Sequence, residues 1–291
     1  MKKVMLSASA FLFVAATMVA QNVSEVDQSG ANTGNVTQSS WGALVNYSDL
    51  DQVGTNLADI EQAGLNSSTV NQTGNNTADI DQVGGDGFFG PGGANNSVAN
   101  QTGNLNMAVV DQLGDANVST LDQTNGAADL KGNSAAVDQD GLANNSDIDQ
   151  TNDANFARIT QSGNGNVSVS SQTSDNLAAP VHPTGYLQGN IVGQTGSLNY
   201  AGVTQNGDNQ RSDIVQDAIA GGPAADPYTN EAYVLQTGEM NQSTILQMDG
   251  ITMSANNTAN VTQENIVAGP GNVSTVSQNG ANTVTVNQTN F

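Results

Sequence analysis

Polar and apolar residues alternate along most of this chain in short runs of one form. In Asn76–Gln82 the first, third, fifth and seventh residues are Asn76, Ala78, Ile80 and Gln82, with Thr77, Asp79 and Asp81 between them. A period of two sends successive side chains to opposite faces of an extended backbone, so the spacing predicts a β-strand. Its inward face carries an amide, a small residue, an aliphatic and a second amide. Its outward face carries a hydroxyl and two acids. Gly84, two residues past Gln82, suits a tight arc in which φ is free to turn positive.

The run recurs. Residues 56–85 read NLADIEQAGL, NSSTVNQTGN and NTADIDQVGG, three ten-residue units in succession. Asn, five residues, then Gln is found in 21 units between Asn22 and Gln288; 19 open on Asn, and Gln188 and Gln210 open the other two. Two places before the closing Gln stands Val, Ile or Leu in 19 units, with Ala99 and Ser170 as exceptions. Four places before it stands Ser, Ala or Gly in 19, with Asn190 and Val284 as exceptions. Gly follows the closing Gln by two in 13 units, and Asn or Ser fills most of the others.

Each unit is therefore expected to be a strand of about six or seven residues followed by an arc. One such strand cannot bury its apolar side alone, whereas two consecutive units would close one coil with facing strands. The predicted fold class is all-β: a two-sheet β-solenoid of about ten stacked strand-arc-strand coils, with 10–11 residues per half-coil. Buried amides are costly unless they are hydrogen-bonded, and stacking identical amides about 4.8 Å apart lets each donate to the next. The predicted structural ladder includes Asn56, Gln62, Asn66, Gln72, Asn76, Gln82, Asn106, Gln112, Asn144, Gln150, Asn155, Gln161, Asn199, Gln205, Asn282 and Gln288. Longer arcs rich in Gly, Pro and polar residues fall near 39–45, 84–94, 125–132, 173–187 and 217–229. The repeat resumes in register after each, so residues 21–291 are read as one repeat region with excursions.

Composition narrows the alternatives. Aromatic residues make up 4% and charged residues 11%, too few large apolar side chains for an ordinary layered core. A disordered polar chain would share this composition, but disorder has no reason to hold register across insertions. The net charge of −22, from 27 acidic and 5 basic residues, disfavours nucleic acid and anionic lipid as partners. There is no Cys, so disulfides and thiolate metal sites are excluded. Residues 1–20, MKKVMLSASAFLFVAATMVA, pair a Lys2–Lys3 head with an apolar stretch and are expected to be a secretory signal peptide. No stretch after it is apolar enough to cross a bilayer as a helix, so no membrane insertion is expected.

Candidate chemistry is sparse. Outward acids stand just before the closing Gln at Asp27, Asp51, Glu61, Asp81, Asp111, Asp122, Asp138 and Asp149, with Glu25, Asp49, Asp59 and Asp79 in a second column. Stacked carboxylates could recruit calcium, or could form a solvated edge that resists premature association; the second is the simpler reading. The single His182 lies in an irregular stretch, and Lys131, Arg158 and Arg211 are the cations after residue 20. No catalytic site, cofactor or metal centre is predicted, and the chain is not expected to be an enzyme. Asn-x-Ser/Thr triplets such as those at Asn22, Asn46 and Asn66 arise from the repeat itself.

A Cys-free, Gly/Asn/Gln-rich chain with a signal segment and Asn-x5-Gln-x-Gly units resembles the curlin repeat family, whose members are the subunits of curli, a bacterial functional amyloid. The likeness covers residues 22–290, and NNTADIDQVGG (75–85) and NVSTVSQNGAN (272–282) fit the motif almost position by position. It implies a secreted β-solenoid subunit, exported unfolded through an outer-membrane secretion pore and polymerised with itself on a nucleator subunit into biofilm fibres. The chain departs from better-known members in its 21 half-coils, its irregular arcs and its lopsided charge, which leaves subunit and nucleator roles both open. Two functions follow. One is a self-assembling extracellular fibre subunit, favoured because repeat units run from Asn22 to Gln288 without an evident polar cap. The other is a monomeric β-solenoid adhesin or ice- or ligand-binding protein, which would want regular outward rows such as Thr37, Thr69, Thr120, Thr160 and Thr204.

Overall fold

The computed structural model describes residues 22–40, 45–84, 93–125, 132–152, 154–174, 188–197, 199–207, 210–217, 230–248, 257–265, 271–279 and 282–290. The predicted signal segment 1–20 and most of each predicted excursion lie outside the described residues. Among those described, the backbone is strand, turn or irregular, with no helix.

Nineteen strands follow one another. They are β1 (Val23–Gly30), β2 (Thr33–Ser39), β3 (Tyr47–Gly54), β4 (Leu57–Gly64), β5 (Asn66–Gly84), β6 (Asn95–Asp115), β7 (Val118–Thr124), β8 (Ser134–Leu142), β9 (Asn145–Thr151) and β10 (Asn155–Asn164). After them come β11 (Val167–Thr173), β12 (Gln188–Ser197), β13 (Tyr200–Asn206), β14 (Gln210–Asp217), β15 (Glu231–Gly238), β16 (Gln242–Met248), β17 (Thr258–Asn265), β18 (Val273–Asn279) and β19 (Thr283–Asn290).

Every pairing is parallel and joins a unit to the unit two places on. The first series runs β1, β3, the front of β5, the front of β6, β7, β9, β11, β13, β15, β17 and β19. The second runs β2, β4, the back of β5, the back of β6, β8, β10, β12, β14, β16 and β18. Each of the 21 sequence units therefore occupies one rung. Like residues stand on like residues: Gln52 is opposite Gln72, Gln62 opposite Gln82, and Ile60 opposite Ile80.

Two units each merge in β5 and β6, where separate strands were expected. The ten-residue spacing of β5 keeps the backbone paired straight through the arc, so Gly74 and Asn75 stand opposite Gly103 and Asn104. The register then shifts between Asn75 and Thr77, because the partner arc holds one residue more. That residue is Leu105, at φ 61°. Ala116, Ala143, Ala154 and Met240 take the same left-handed conformation immediately before an Asn. Eleven-residue units thus absorb their extra residue in one strained step, at a cost of roughly 1–2 kcal/mol for a residue with a Cβ.

The core is a stack. Leu50, Ile60, Val70, Ile80, Val110, Leu121, Val137, Ile148 and Ile159, drawn from both series, are buried in one cluster with the small alanines, with Leu50 on Val70 and Ile60 on Ile80, and the same cluster continues through Val276. Outward residues such as Thr77 and Asp79 stay wet or half-buried while Ala78 and Ile80 are closed off. The inward and outward assignment made from period two is the one the strands adopt.

Candidate functional site

The glutamines build the longest continuous feature. In the first series Nε2 of each donates to Oε1 of the next, linking Gln28, Gln52, Gln72, Gln101, Gln123, Gln150, Gln172, Gln205, Gln236, Gln263 and Gln288. In the second the same bond links Gln38, Gln62, Gln82, Gln112, Gln139, Gln161, Gln194, Gln216, Gln247 and Gln278. Interior distances are 2.7–2.9 Å. All donors point the same way along the stack, so both columns are polar: acceptors face the β1 end and donors face the β19 end.

The second N–H of the amide reaches sideways. Gln62 donates to the carbonyl of Tyr47 at 3.1 Å, Gln72 to that of Leu57 at 3.2 Å, and Gln161 to that of Asn145 at 3.1 Å. Each acceptor belongs to the preceding unit and hence to the other series. One side chain therefore joins a rung to the rung above it and to its neighbour in the chain. A buried amide has two donors and an acceptor to satisfy, and this arrangement uses all three.

The asparagines form the expected side-chain ladder over much of the stack, with Nδ2 donating to Oδ1 of the rung before, as from Asn66 to Asn46 at 3.2 Å, Asn166 to Asn144 at 3.1 Å and Asn199 to Asn166 at 3.0 Å, and they add further bonds to it. Their Oδ1 also accepts from the backbone N–H of the next Asn: Asn56 from Asn76 at 3.0 Å, Asn76 from Asn106 at 3.2 Å, and Asn144 from Asn166 at 3.0 Å. Their Nδ2 turns back onto the preceding arc, from Asn56 to Val53 O, from Asn66 to Ala63 O and from Asn199 to Thr195 O. Asn is thus an arc clamp as well as a rung. Its column is broken. Oδ1 of Asn66, Asn155 and Asn257 is buried without a hydrogen-bond partner. Their next rungs are Asn95, Gln188 and Asn282, of which the first two stand just after residues 85–92 and 175–187 in the chain. An insertion does not by itself break the clamp, since Asn46, Asn133, Asn230, Asn257 and Asn272 each follow one and still bond to Oδ1 of the rung before. Asn282 is exposed, and its amide closes on Asn279 O.

Gly two places after Gln stands where predicted, with φ of 117° at Gly54, 102° at Gly64 and 114° at Gly74. A Cβ on Gly64 would overlap the carbonyl oxygen of Gly84 one rung away. Both the backbone angle and the close approach require glycine here.

Two features of the small column escaped the sequence pattern. In the first series its members are Ser24, Ser48, Ser68, Ser97, Ser119, Ser146 and Ser168; in the second they are Gly34, Ala58, Ala78, Ala108, Ala135 and Ala157. Beyond β12 the two exchange: Ala201, Ala232 and Ala259 lie in the first series, and Ser212, Ser243 and Ser274 in the second. The exchange happens at the unit of Asn190. There the two polar exceptions of the sequence meet, since Asn190 Nδ2 donates to Ser170 Oγ at 2.8 Å inside the core.

The acids line up as expected on the outside, with Glu61, Asp81, Asp111 and Asp138 in consecutive rungs of one column. Partial withdrawal from water raises the carboxyl of Asp81 above its ordinary value, with Asp79, Glu61, Asp111 and Asp59 adding to it. Asp111 is raised by withdrawal from water and then by Asp138 and Asp79. Among the described residues no group of three or more carboxylates or imidazoles is arranged to hold a metal ion, so the calcium reading gains no site. The five outward threonines do not form rows: Thr69 stands between Asp49 and Val98, Thr160 between Asp138 and Gly193, and Thr204 between Ser171 and Leu235. His182 and Lys131 lie outside the described residues.

The inward faces are open at both ends. Val26 of β1 is 49% exposed, while Leu50, which stands on it in β3, is fully buried. Val36 of β2 and Val286 of β19 are only partly covered. Comparison of the chain with protein-family models and with curated proteins finds no match.

Proposed function

We propose that this chain is a secreted structural subunit that assembles with itself into extracellular, curli-like amyloid fibres serving a biofilm matrix and surface adhesion. The fold behind this reading is a two-sheet β-solenoid, each sheet made of one series of rungs, with about ten coils and a length of roughly 50 Å at the usual strand spacing. The observation that carries it is the pair of glutamine columns, which run unbroken from Gln28 to Gln288 and from Gln38 to Gln278 into open inward faces. A parallel ladder that ends in unpaired strands and half-covered apolar residues recruits more strand, and amide columns are the internal bonding of a cross-β fibre. A nucleator and a secretion pore as partners come from the curlin resemblance alone.

An ice- or ligand-binding monomer would present outward threonine rows, and Thr73, Thr102, Thr124, Thr151 and Thr173 do stack in consecutive rungs; the row gives way to Asn206 at the next rung, whereas the glutamine columns run the whole stack. The test is direct. Purified chain incubated at micromolar concentration should form fibres with cross-β diffraction after a lag that preformed seeds shorten. A chain that stays monomeric at high concentration and melts cooperatively would refute the proposal.

A further inference from the structure

We infer that the β18–β19 end receives the β1–β2 end of a second copy turned by half a coil, so that the incoming β1 lies on β18 and the incoming β2 on β19. This rests on the self-assembly reading and adds to it the geometry of the junction.

Parity is the first argument. The first series has eleven rungs and the second has ten, so β19 stands half a coil beyond β18. The next vacant rung of a continuing stack therefore lies on β18, in the second series, although β1 belongs to the first series of its own copy. Seating β1 on β19 would leave the edge of β18 unpaired behind it, with its backbone N–H and C=O groups cut off from partners.

The small column supplies an independent argument. In the second series the last members are Ser212, Ser243 and Ser274. With β1 on β18 the next is Ser24, and the serine column continues. In the first series Ala259 and Val284 come last. With β2 on β19 the next is Gly34, which places the bulkiest member of the column beside the smallest. The exchange at Asn190 is what brings this about: a chain of 21 units with no exchange would end on a serine rung and meet Ser24 out of step.

Hydrogen bonding agrees. Gln278 donates to Thr258 O and Asn282 O, and Gln288 to Val273 O, but neither donates to another glutamine. At the other end, among the described residues, no donor reaches Oε1 of Gln28 or Gln38. The junction pairs Gln278 with Gln28 and Gln288 with Gln38, and it covers Val26. Each copy then presents its first series on the side where its neighbour presents its second, so the fibre repeats every two copies.

The chain contains no Cys, which makes a crosslinking test clean. Asp27, Ser277 and Asn287 are outward and exposed, each one place before its ladder glutamine. In the half-coil junction Asp27 stands on Ser277, within the Cα separation a disulfide spans; in the unturned junction it would stand on Asn287. Fibres of the Asp27→Cys/Ser277→Cys variant, mildly oxidised and then dissolved, should run as multimers that reduction returns to monomer. Fibres of Asp27→Cys/Asn287→Cys should dissolve to monomer. The opposite pattern would overturn the half-coil turn, and fibres in which both variants or neither crosslink would overturn the junction. A wild-type chain that makes no fibres would refute self-assembly itself, and this junction with it.

Discussion

If the glutamine columns are continuous wires of hydrogen bonds, the cost of breaking them depends on where the breaks fall and not only on how many there are. Gln82, Gln112, Gln139, Gln161 and Gln194 are consecutive in the second series and buried. Replacing Gln112, Gln139 and Gln161 together by Leu removes a contiguous block and strands two groups: an N–H of Gln82 and Oε1 of Gln194. Replacing Gln82, Gln139 and Gln194 removes the same number of amides but strands six groups, on Gln62, Gln112, Gln161 and Gln216. The sideways bonds cancel, because each substituted Gln gives up one carbonyl partner in either variant. A stranded buried group costs about 1–3 kcal/mol, so the spaced variant should be less stable than the block variant by about 4–12 kcal/mol. Denaturant titration of strand circular dichroism at low protein concentration measures the difference. Equal destabilisation of the two triples would refute the connected ladder and leave only independent side-chain packing.

Two further outcomes follow from the outer face and the arcs. Asp81 and Asp111 have carboxyls raised above their unfolded value of 3.8, so the folded state holds protons that the unfolded state releases. Stability should therefore rise as pH falls through the raised values to about 3.8. Neutralising both as Asp81→Asn/Asp111→Asn should flatten that part of a melting-temperature profile; an unchanged slope would refute the cause. Gly64→Ala places a Cβ at positive φ against Gly84 O and should cost at least about 1–2 kcal/mol, whereas Ala63→Ser on the neighbouring, half-buried outward position should be within about 0.5 kcal/mol, checked by the same denaturant titration.

Much of this molecule is written in period two. Because Asn, small, aliphatic and Gln recur at fixed offsets, the inward face of each strand follows from local sequence alone, and the parallel register aligns those offsets without exception at Gln. What local pattern does not carry is the direction of a side-chain bond. Asn and Gln look equivalent as amides, yet Asn has one fewer methylene. From the edge of the arc it reaches the backbone N–H of the next rung and the carbonyl just passed as well as the amide of the rung before, while Gln reaches the next amide and a carbonyl of the preceding unit. Nor does the pattern say which residue absorbs the extra length of an eleven-residue unit: Leu105, Ala116 and Met240 have no turn propensity to announce them, and they turn left-handed because their neighbours leave no other place for the slack.

The exceptions were more informative than the rule. Ser170 breaks the aliphatic column and Asn190 breaks the small column; taken singly each is a defect, and in the fold they are one contact at 2.8 Å. The small column tolerates buried serines, but an amide there carries two further donors, and Asn190 places one of them on Ser170 Oγ. The pair also marks the unit at which serine and alanine exchange series. Read across that unit, the order serine, alanine, serine, alanine resumes as though Gln188–Gln194 had been slipped into a regular stack. One added half-coil shifts every later rung to the opposite series, makes the number of rungs odd and places Ser274 in the second series and Ala259 in the first. Which series carries serine at the far end of the rod is thus set by a half-coil in its interior. Restoring the ordinary residues together, Ser170→Val with Asn190→Ser, should keep the fold and the junction, whereas Ser170→Val alone leaves Asn190 Nδ2 stranded in the core at about 1–3 kcal/mol.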